Sequence, residues 1–343
     1  MTTRLFYDTD CSLEPLAGKT ITFIGYGNQG RAQALNLRDT FKNAQNVTQP
    51  KIVIANQEDS YAKTAEQDGF GYTTDWAAAA AEADVLFLLV PDQIQPDLFN
   101  NQIAPKLKKT ACIVVASGYN VFYKYLNFTS SNDIVMVAPR MVGASVRSLY
   151  ESKQGYPCFV SVEQDGTGQA WPLALALCMA VGATKGGAIE SSCREEALTD
   201  LFAEQAIWPT VIAVFREGYK LLKELGCSDE ALVHEMWLSK EPAEIFESAA
   251  DLGFIKQLVG HSSVSQYGQL KGSQEMDVSW LKKHFEHVAK ERVLEGAFAE
   301  EFTAAEQKPG GIDGALKKLY QEAEKSELAV GEKRVRERLG LKT

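Results

Sequence analysis

Gly25-Tyr26-Gly27-Asn28-Gln29-Gly30 lies between an apolar run, ITFIG at 21–25, and a helical pattern that opens RAQALNL. Glycines at this spacing permit a tight strand-to-helix turn and close backbone approach to a pyrophosphate. That anion then faces the amides and the positive dipole end of the helix. The chemistry this suits is dinucleotide binding, and the strand–turn–helix context lifts the motif above a bare glycine turn. A second apolar run, KIVIAN at 51–56, leads into Gln57-Glu58-Asp59-Ser60. A carboxylate there accepts hydrogen bonds from the adenosine ribose hydroxyls and repels a 2′-phosphate. Glu58 and Asp59 therefore lean toward NADH or toward use of both NADH and NADPH. Ser60 pulls the other way as a phosphate donor, and the loop holds no Arg. The plain alternative is a solvated acidic loop.

The elements that position this turn follow from hydropathy. ITFIG, KIVIAN, VLFLLV (85–90), CIVVA (112–116), DIVMVA (133–138) and CFVSV (158–162) are apolar throughout and rich in Val and Ile. They read as strands buried on both faces of a parallel sheet. Helical stretches such as AQALNLRDTF and DWAAAAAEADV alternate with them, which predicts an α/β, doubly wound parallel sheet. The pattern changes near Gly186-Gly187, and from Ser191 onward long helical periodicity takes over. The run from Cys193 to Gly226 is amphipathic, with a kink expected at Pro209. The expected organisation is a dinucleotide-binding domain over 1–187, an all-α domain over 188–330, and a charged, solvated tail over 331–343.

The chain has 343 residues and a formal net charge of −10. That length suits two domains. The acidic balance, with no long basic run, argues against nucleic acid and membrane surfaces and in favour of a small-molecule substrate. The six cysteines form no Cys-x-x-Cys pair, and several lie in apolar runs. A reducing, cytoplasmic location follows, with no structural zinc. The opening MTTRLFYDTD does not read as a signal peptide. No apolar run is expected to reach the ~20 residues needed to span a bilayer.

The longer string GKTITFIGYGNQGRAQALNLRD is more specific than its glycines, and it resembles the opening of ketol-acid reductoisomerases. The resemblance continues in order through VPDQIQ, ASGYNV, VMVAPRMVGASVRSLYE, GYPCFVSVEQDGTGQA, TDLFAEQA, HSSVSQYG and EGAFAEEF, covering about residues 17 to 310. It implies a Rossmann-like N-terminal domain and a knotted, dimerising helical C-terminal domain. It also implies a nicotinamide cofactor, with Pro91 and Gly118 beside it. The family's reaction on 2-acetolactate-type acids is a magnesium-assisted alkyl shift followed by hydride transfer. Asp200 and Glu204 match its first pair of metal carboxylates and share one helix face. Glu235 matches a third, across the dimer. Ser262 matches a serine that contacts the substrate carboxylate, and His261 beside it is an acid–base candidate.

Departures concentrate at the chemistry. Ser239 stands where the fourth family carboxylate is expected. Ser117-Gly118-Tyr119-Asn120 replaces a family His-Gly-Phe-Asn, and Pro139-Arg140-Met141-Val142-Gly143-Ala144 replaces Pro-Lys-Gly-Pro-Gly-His. Trp208-Pro209 replaces small residues, so Arg140 and Trp208 are expected at the substrate. A neutral serine cannot supply the missing charge, which argues against a tightly held pair of Mg²⁺ ions. The reading favoured by these changes is a reductase of a C=N or C=O bond in an amino-acid- or keto-acid-derived substrate, without the alkyl shift. Ser117, Tyr119, His261, Asp200, Glu204 and Glu235 are its candidate proton donors. A genuine Mg²⁺-dependent ketol-acid reductoisomerase of branched-chain amino-acid synthesis is the alternative. A non-catalytic dinucleotide-binding protein is the third reading.

Overall fold

The apolar runs of the first half form one nine-stranded sheet. Its strands are β1 (Leu5–Phe6), β2 (Thr20–Ile24), β3 (Lys51–Ala55), β4 (Tyr72–Thr73), β5 (Val85–Leu88), β6 (Cys112–Val115), β7 (Asp133–Pro139), β8 (Cys158–Asp165) and β9 (Ala188–Glu190). Their order is β1-β9-β8-β7-β6-β5-β2-β3-β4. All six strands expected from hydropathy are present. The computed structural model describes residues 3–342, and the chain divides between Asp200 and Leu201 into two units.

The pairing is parallel except between β7 and β8 and between β1 and β9. The doubly wound parallel sheet expected from the sequence is present, with β8 set antiparallel to β7, since an apolar run carries no information about direction. β1, β4 and β9 are two or three residues long, too short to leave a hydropathy signal.

Strand alternation divides the core in two. Phe23, Val85, Phe87 and Val114 face one layer, with Leu37 and Phe41 of helix α1 (Asn28–Asn43) and with Leu177. Their neighbours Ile24, Leu86, Leu88 and Ile113 face the other, against Ala79, Ala80, Leu98 and Phe99. Burial of both faces is why these strands read as continuous apolar runs rather than alternating ones. Phe23 and Phe87, paired on adjacent strands, stack with ring centroids 4.5 Å apart.

β2 and β5 are neighbours, and the chain leaves β2 on one side toward β3 and β4 and returns on the other through β5 to β7. This is a topological switch point, where the two connections part and leave a crevice beyond the strand ends.

The second unit is helical. Its small core joins Tyr219, Leu232, Val233 and Val335. The kink expected at Pro209 appears as a widened turn, Ala203–Ile207, of π-helical geometry, followed by the helix Trp208–Glu224. Proline has no amide hydrogen to return to the carbonyl four residues earlier, so the helix opens one residue wider ahead of it. The helical run Cys193–Glu224 is 32 residues long. By length and composition alone it is long and apolar enough to cross a membrane, where no such run was expected, because apolar residues of an amphipathic helix accumulate over its length.

The charged segment expected over 331–343 is, as far as Arg338, a packed helix and not a solvated tail. Helix Glu327–Arg338 buries Gly331 and Val335, and Glu332 accepts a hydrogen bond from the Trp237 indole at 3.1 Å. Arg334 and Lys223 both pair with the buried Asp229, at 2.8 Å each. Charge in this segment marks ion pairing with the helices beneath it.

Candidate active site

The glycine turn sits between the end of β2 and the start of α1. Gly25 has φ +98°, a left-handed conformation open to glycine. A Cβ on Gly30 would stand 2.2 Å from the Gly25 carbonyl oxygen, so helix and turn approach as closely as only glycine allows. A Cβ on Gly27 would meet nothing within 4 Å. Its outer side opens into a cleft of about 660 Å³ at the switch point, lined among others by Asn28, Gln29, Asp59, Val90, Pro91 and Ser117. A larger depression of about 930 Å³ lies away from the strand ends, near Asp39, Arg147 and Tyr150. It contains none of the residues singled out for chemistry.

The cleft fits a dinucleotide. Gly27 starts α1 with no side chain capping the helix, so the first-turn amides face the open side of the turn. The turn is anchored from behind. Asn56 accepts the Tyr26 amide at 3.0 Å, and Gln29 Nε2 donates to the Met141 carbonyl at 2.9 Å.

Several expected cofactor contacts belong elsewhere. Tyr26 is fully buried, with its hydroxyl donating to Asp68 at 3.0 Å. Burial and the Asp68 carboxylate push that phenol upward in pKa. Gly30 acts through packing. Glu58 and Ser60 are exposed and do not line the cleft. Asp59 does line it, but its carboxylate also caps helix α2 (Ser60–Gln67). It accepts the Tyr61 and Ala62 amides and the side-chain amides of Asn56 and Gln57. Partial burial opposes its ionisation. The bonds from Gln57, Ala62, Tyr61 and Asn56 outweigh that and hold the carboxyl below its usual range. A negative charge therefore lines the cleft beside the start of α2, and no Lys or Arg is among the cleft-lining residues.

At the opposite end, Ser117 lies on the cleft and its Oγ accepts the Tyr119 amide at 3.2 Å. Among the described residues the buried Tyr119 hydroxyl has no hydrogen-bond partner, and its ring packs against Tyr123 and Tyr125. Desolvation raises its pKa. The Tyr119 hydroxyl thus stands apart from the cleft, contrary to its expected place as a donor there.

One residue that sequence reasoning passed over organises this end. Glu196, 2 % exposed, accepts the Gly118 amide at 2.6 Å and the Arg140 Nη1 at 2.6 Å. Burial pushes its carboxyl up, against the opposing pull of the Gly118 amide and Arg140. The Arg140 Nη2 pairs with Asp200 at 2.5 Å, and the guanidinium lies 4.9 Å from the Phe159 ring centroid. Glu196 precedes Asp200 by four residues on the helix Cys193–Phe202, so both reach the same guanidinium. That spacing in CREEALTD was the available signal. Close contact between the Gly118 backbone and Cys193, where a Cβ would stand 2.2 Å from the Cys193 carbonyl oxygen, locks the two elements together.

The remaining candidates lie in the helical unit. Glu204 and Glu235 each occupy a π-helical turn, Ala203–Ile207 and His234–Leu238. Such turns recur at functional sites. Ser239 ends the second of these and its Oγ accepts the Glu241 amide. Ser262 caps helix Ser263–Glu275 through the Ser265 amide. His261 is half-buried, 3.2 Å from Gln257 Oε1. Trp208 is exposed beside Phe246.

Asp200 is engaged by the Arg140 guanidinium. Among the described residues, no three His, Cys, Asp or Glu side chains within either unit are grouped to hold a metal ion.

Comparison with known proteins agrees with this architecture. Residues 15–187 match the family model described as acetohydroxy acid isomeroreductase, NADPH-binding domain, and residues 193–340 match the ketol-acid reductoisomerase C-terminal domain. A putative ketol-acid reductoisomerase 3 of Saccharolobus solfataricus is 38% identical over 328 residues, covering 94% of this chain and 95% of its own. A ketol-acid reductoisomerase (NADP(+)) of Pyrobaculum islandicum is 36% identical over 322 residues, covering 93% of each. Among solved structures, an NADH-preferring ketol-acid reductoisomerase from an uncultured archaeon superposes with a TM-score of 0.84 at 28% identity, covering 97% of this chain and 98% of that one. The chain belongs to the ketol-acid reductoisomerase family and is an NAD(P)H-dependent oxidoreductase.

Proposed function

We propose that this protein reduces the ketone of a ketol-acid substrate, with NADH favoured over NADPH. The observation that carries the proposal is that the Arg140 cluster is tied to the residue following the cleft-lining Ser117. Ser117 lines the cleft, and the next residue, Gly118, is bonded through Glu196 to a guanidinium suited to a carboxylate or a polarised oxygen. NAD(P)H, when bound, supplies hydride. The chain's own residues orient the substrate beside Ser117 and hold charge against its anionic oxygens.

The substrate class rests on the relatives. They are named as ketol-acid reductoisomerases, which favours a ketol acid, and complete isomeroreduction of 2-acetolactate, over an imine. A second reading, reduction without the alkyl shift, is supported by the guanidinium at Asp200. Two substrates separate them: 2-acetolactate, and the 3-hydroxy-2-keto acid that an alkyl shift in it generates. Oxidation of NAD(P)H by both supports complete isomeroreduction, and oxidation by the second alone supports reduction only. Consumption with a cyclic imine but neither ketol acid overturns both.

Asp59 and the absence of cleft-lining cations support the cofactor preference. The expected result of fluorescence titration is NADH binding at least about tenfold tighter than NADPH, or 1.4 kcal/mol. Ser60→Arg should narrow or reverse that gap by pairing with the 2′-phosphate. NADPH binding more tightly to the unaltered protein would refute this assignment.

We also propose a homodimer built on the helical unit and a cytoplasmic location. Ile212, Val214 and Leu221 on the helix Trp208–Glu224 and Leu225 just after it are exposed, as are Phe254, Val259 and Val264. Apolar exposure on this scale fits a surface covered by a second copy. Light scattering should show a dimer, and Ile212→Glu should shift it toward monomer. An active, monomeric unaltered protein would contradict the assembly. The cysteines are unpaired and four of the six are buried, in keeping with a reducing compartment.

A further inference from the structure

We propose that the Arg140 guanidinium takes the place of a divalent cation in this protein, binding the ketone oxygen and carboxylate of the substrate so that reduction proceeds without metal. The inference rests on the ketone reduction proposed above and adds which group polarises that ketone.

The geometry begins with what Arg140 leaves free. An arginine carries five N–H donors. Arg140 Nη1 and Nη2 each give one to a carboxylate, Glu196 at 2.6 Å and Asp200 at 2.5 Å. Its Nε–H and the second hydrogens of both terminal nitrogens have no protein acceptor among these contacts. The fork is held rigidly. Glu196 is buried and tied to the Gly118 amide, and Phe159 lies 4.9 Å from the guanidinium carbon. The side chain retains 24% exposure, so the unused donors are reachable. A planar fork with fixed orientation matches a carboxylate or two vicinal oxygens, as an ammonium group does not.

The same contacts work against a divalent ion. Asp200 Oδ1 is already in contact with a cation that stays protonated at any physiological pH. An ion coordinated by that carboxylate would sit beside the guanidinium and be repelled by it. To bind well it would have to expel Arg140 from both acids, leaving the nearly buried Glu196 without its counter-charge.

The step balances without metal. The new C–H bond forms with the hydride that NAD(P)H supplies, leaving NAD(P)⁺. The carbonyl electron pair moves to oxygen, where the guanidinium N–H donors stabilise the growing charge. The oxygen then takes a proton from solvent, and Arg140 keeps its own.

The test uses the full-length protein in its native assembly, stripped of metal by chelating resin. Reduction of the 3-hydroxy-2-keto acid should change by less than twofold between EDTA and excess Mg²⁺. Mn²⁺ titration followed by paramagnetic resonance should show no site tighter than millimolar. Arg140→Ala should lose at least a hundredfold in kcat/KM with NADH affinity unchanged. Added guanidinium or methylguanidinium should restore part of the loss, a rescue that a purely structural role would not give. Arg140→Lys, which keeps charge without the fork, should fall between. Calorimetry with oxalate in metal-free buffer gives a readout independent of turnover: the native protein should bind it and Arg140→Ala should not. A tenfold loss on EDTA treatment, a micromolar Mn²⁺ site, or equal oxalate binding by both proteins would overturn the inference while leaving ketone reduction standing. Absence of ketone reduction with or without Mg²⁺ would remove the proposed function, and oxalate and Mn²⁺ binding would still decide what Arg140 holds.

Discussion

Replacing Gly30 with alanine should weaken NADH binding by about a hundredfold, or ~2.7 kcal/mol, and destabilise the α/β unit. The new methyl would stand 2.2 Å from the Gly25 carbonyl oxygen and 3.0 Å from its carbon. Both are backbone atoms in a turn whose neighbours are fixed. The Gly25 amide bonds to the Ala55 carbonyl, and the Tyr26 amide bonds to Asn56. No flexible side chain can yield, so α1 must move away from β2 by about an ångström, at an overpacking cost of roughly 1–3 kcal/mol. That movement carries the first-turn amides away from the pyrophosphate position. Gly27→Ala is the matched control, since its methyl meets no protein atom within 4 Å. It should leave the melting temperature near that of the native protein and reduce cofactor affinity alone. Equal NADH affinity in Gly30→Ala and the native protein would show that the turn does not cradle the cofactor.

Glu196→Ala should be the most destabilising single change in the candidate site. The residue is almost fully buried, and its two oxygens satisfy the Gly118 amide and Arg140. Its removal leaves a buried N–H unpaired and a largely buried guanidinium with one partner. Breaking a buried ion pair from one side costs about 3–5 kcal/mol. Glu196→Gln keeps an acceptor for Gly118 but lacks the charge, and should cost less, about 1–3 kcal/mol. Urea unfolding of the two variants measures this directly. A loss below about 1 kcal/mol in the alanine variant would place the pair among surface ion pairs. The same variant should also lose ketone reduction, since Arg140 would be oriented by Asp200 alone.

By itself the sequence determined the parts whose signal is local. A strand buried on both faces is apolar at nearly every position, so β2, β5, β6 and β7 were visible as runs, and β3 and β8 through their apolar stretches. A phosphate-approaching turn needs glycine where a side chain would collide, so the 25–30 motif announced its own geometry. The family was legible for the same reason, through motifs that hold their order along the chain. Tertiary structure decided what depends on residues far apart in the chain. Strand direction was one such feature, because the CFVSV run that opens β8 is apolar like the parallel strands, yet β8 runs antiparallel to β7. Tyr26 and Tyr119 stand inside their motifs, yet packing against Phe70 and against Tyr123 and Tyr125 turns both side chains into protein. Charge over 331–343 suggested solvent, until Asp229 supplied a buried counter-charge for Arg334 from 105 residues away. Arg140 gave the same lesson at the site. In sequence it was only an arginine where the family carries lysine. Its partners, Glu196 and Asp200, are 56 and 60 residues distant. Only the fold, by bringing the end of β7 against the helix Cys193–Phe202, made them one ion cluster.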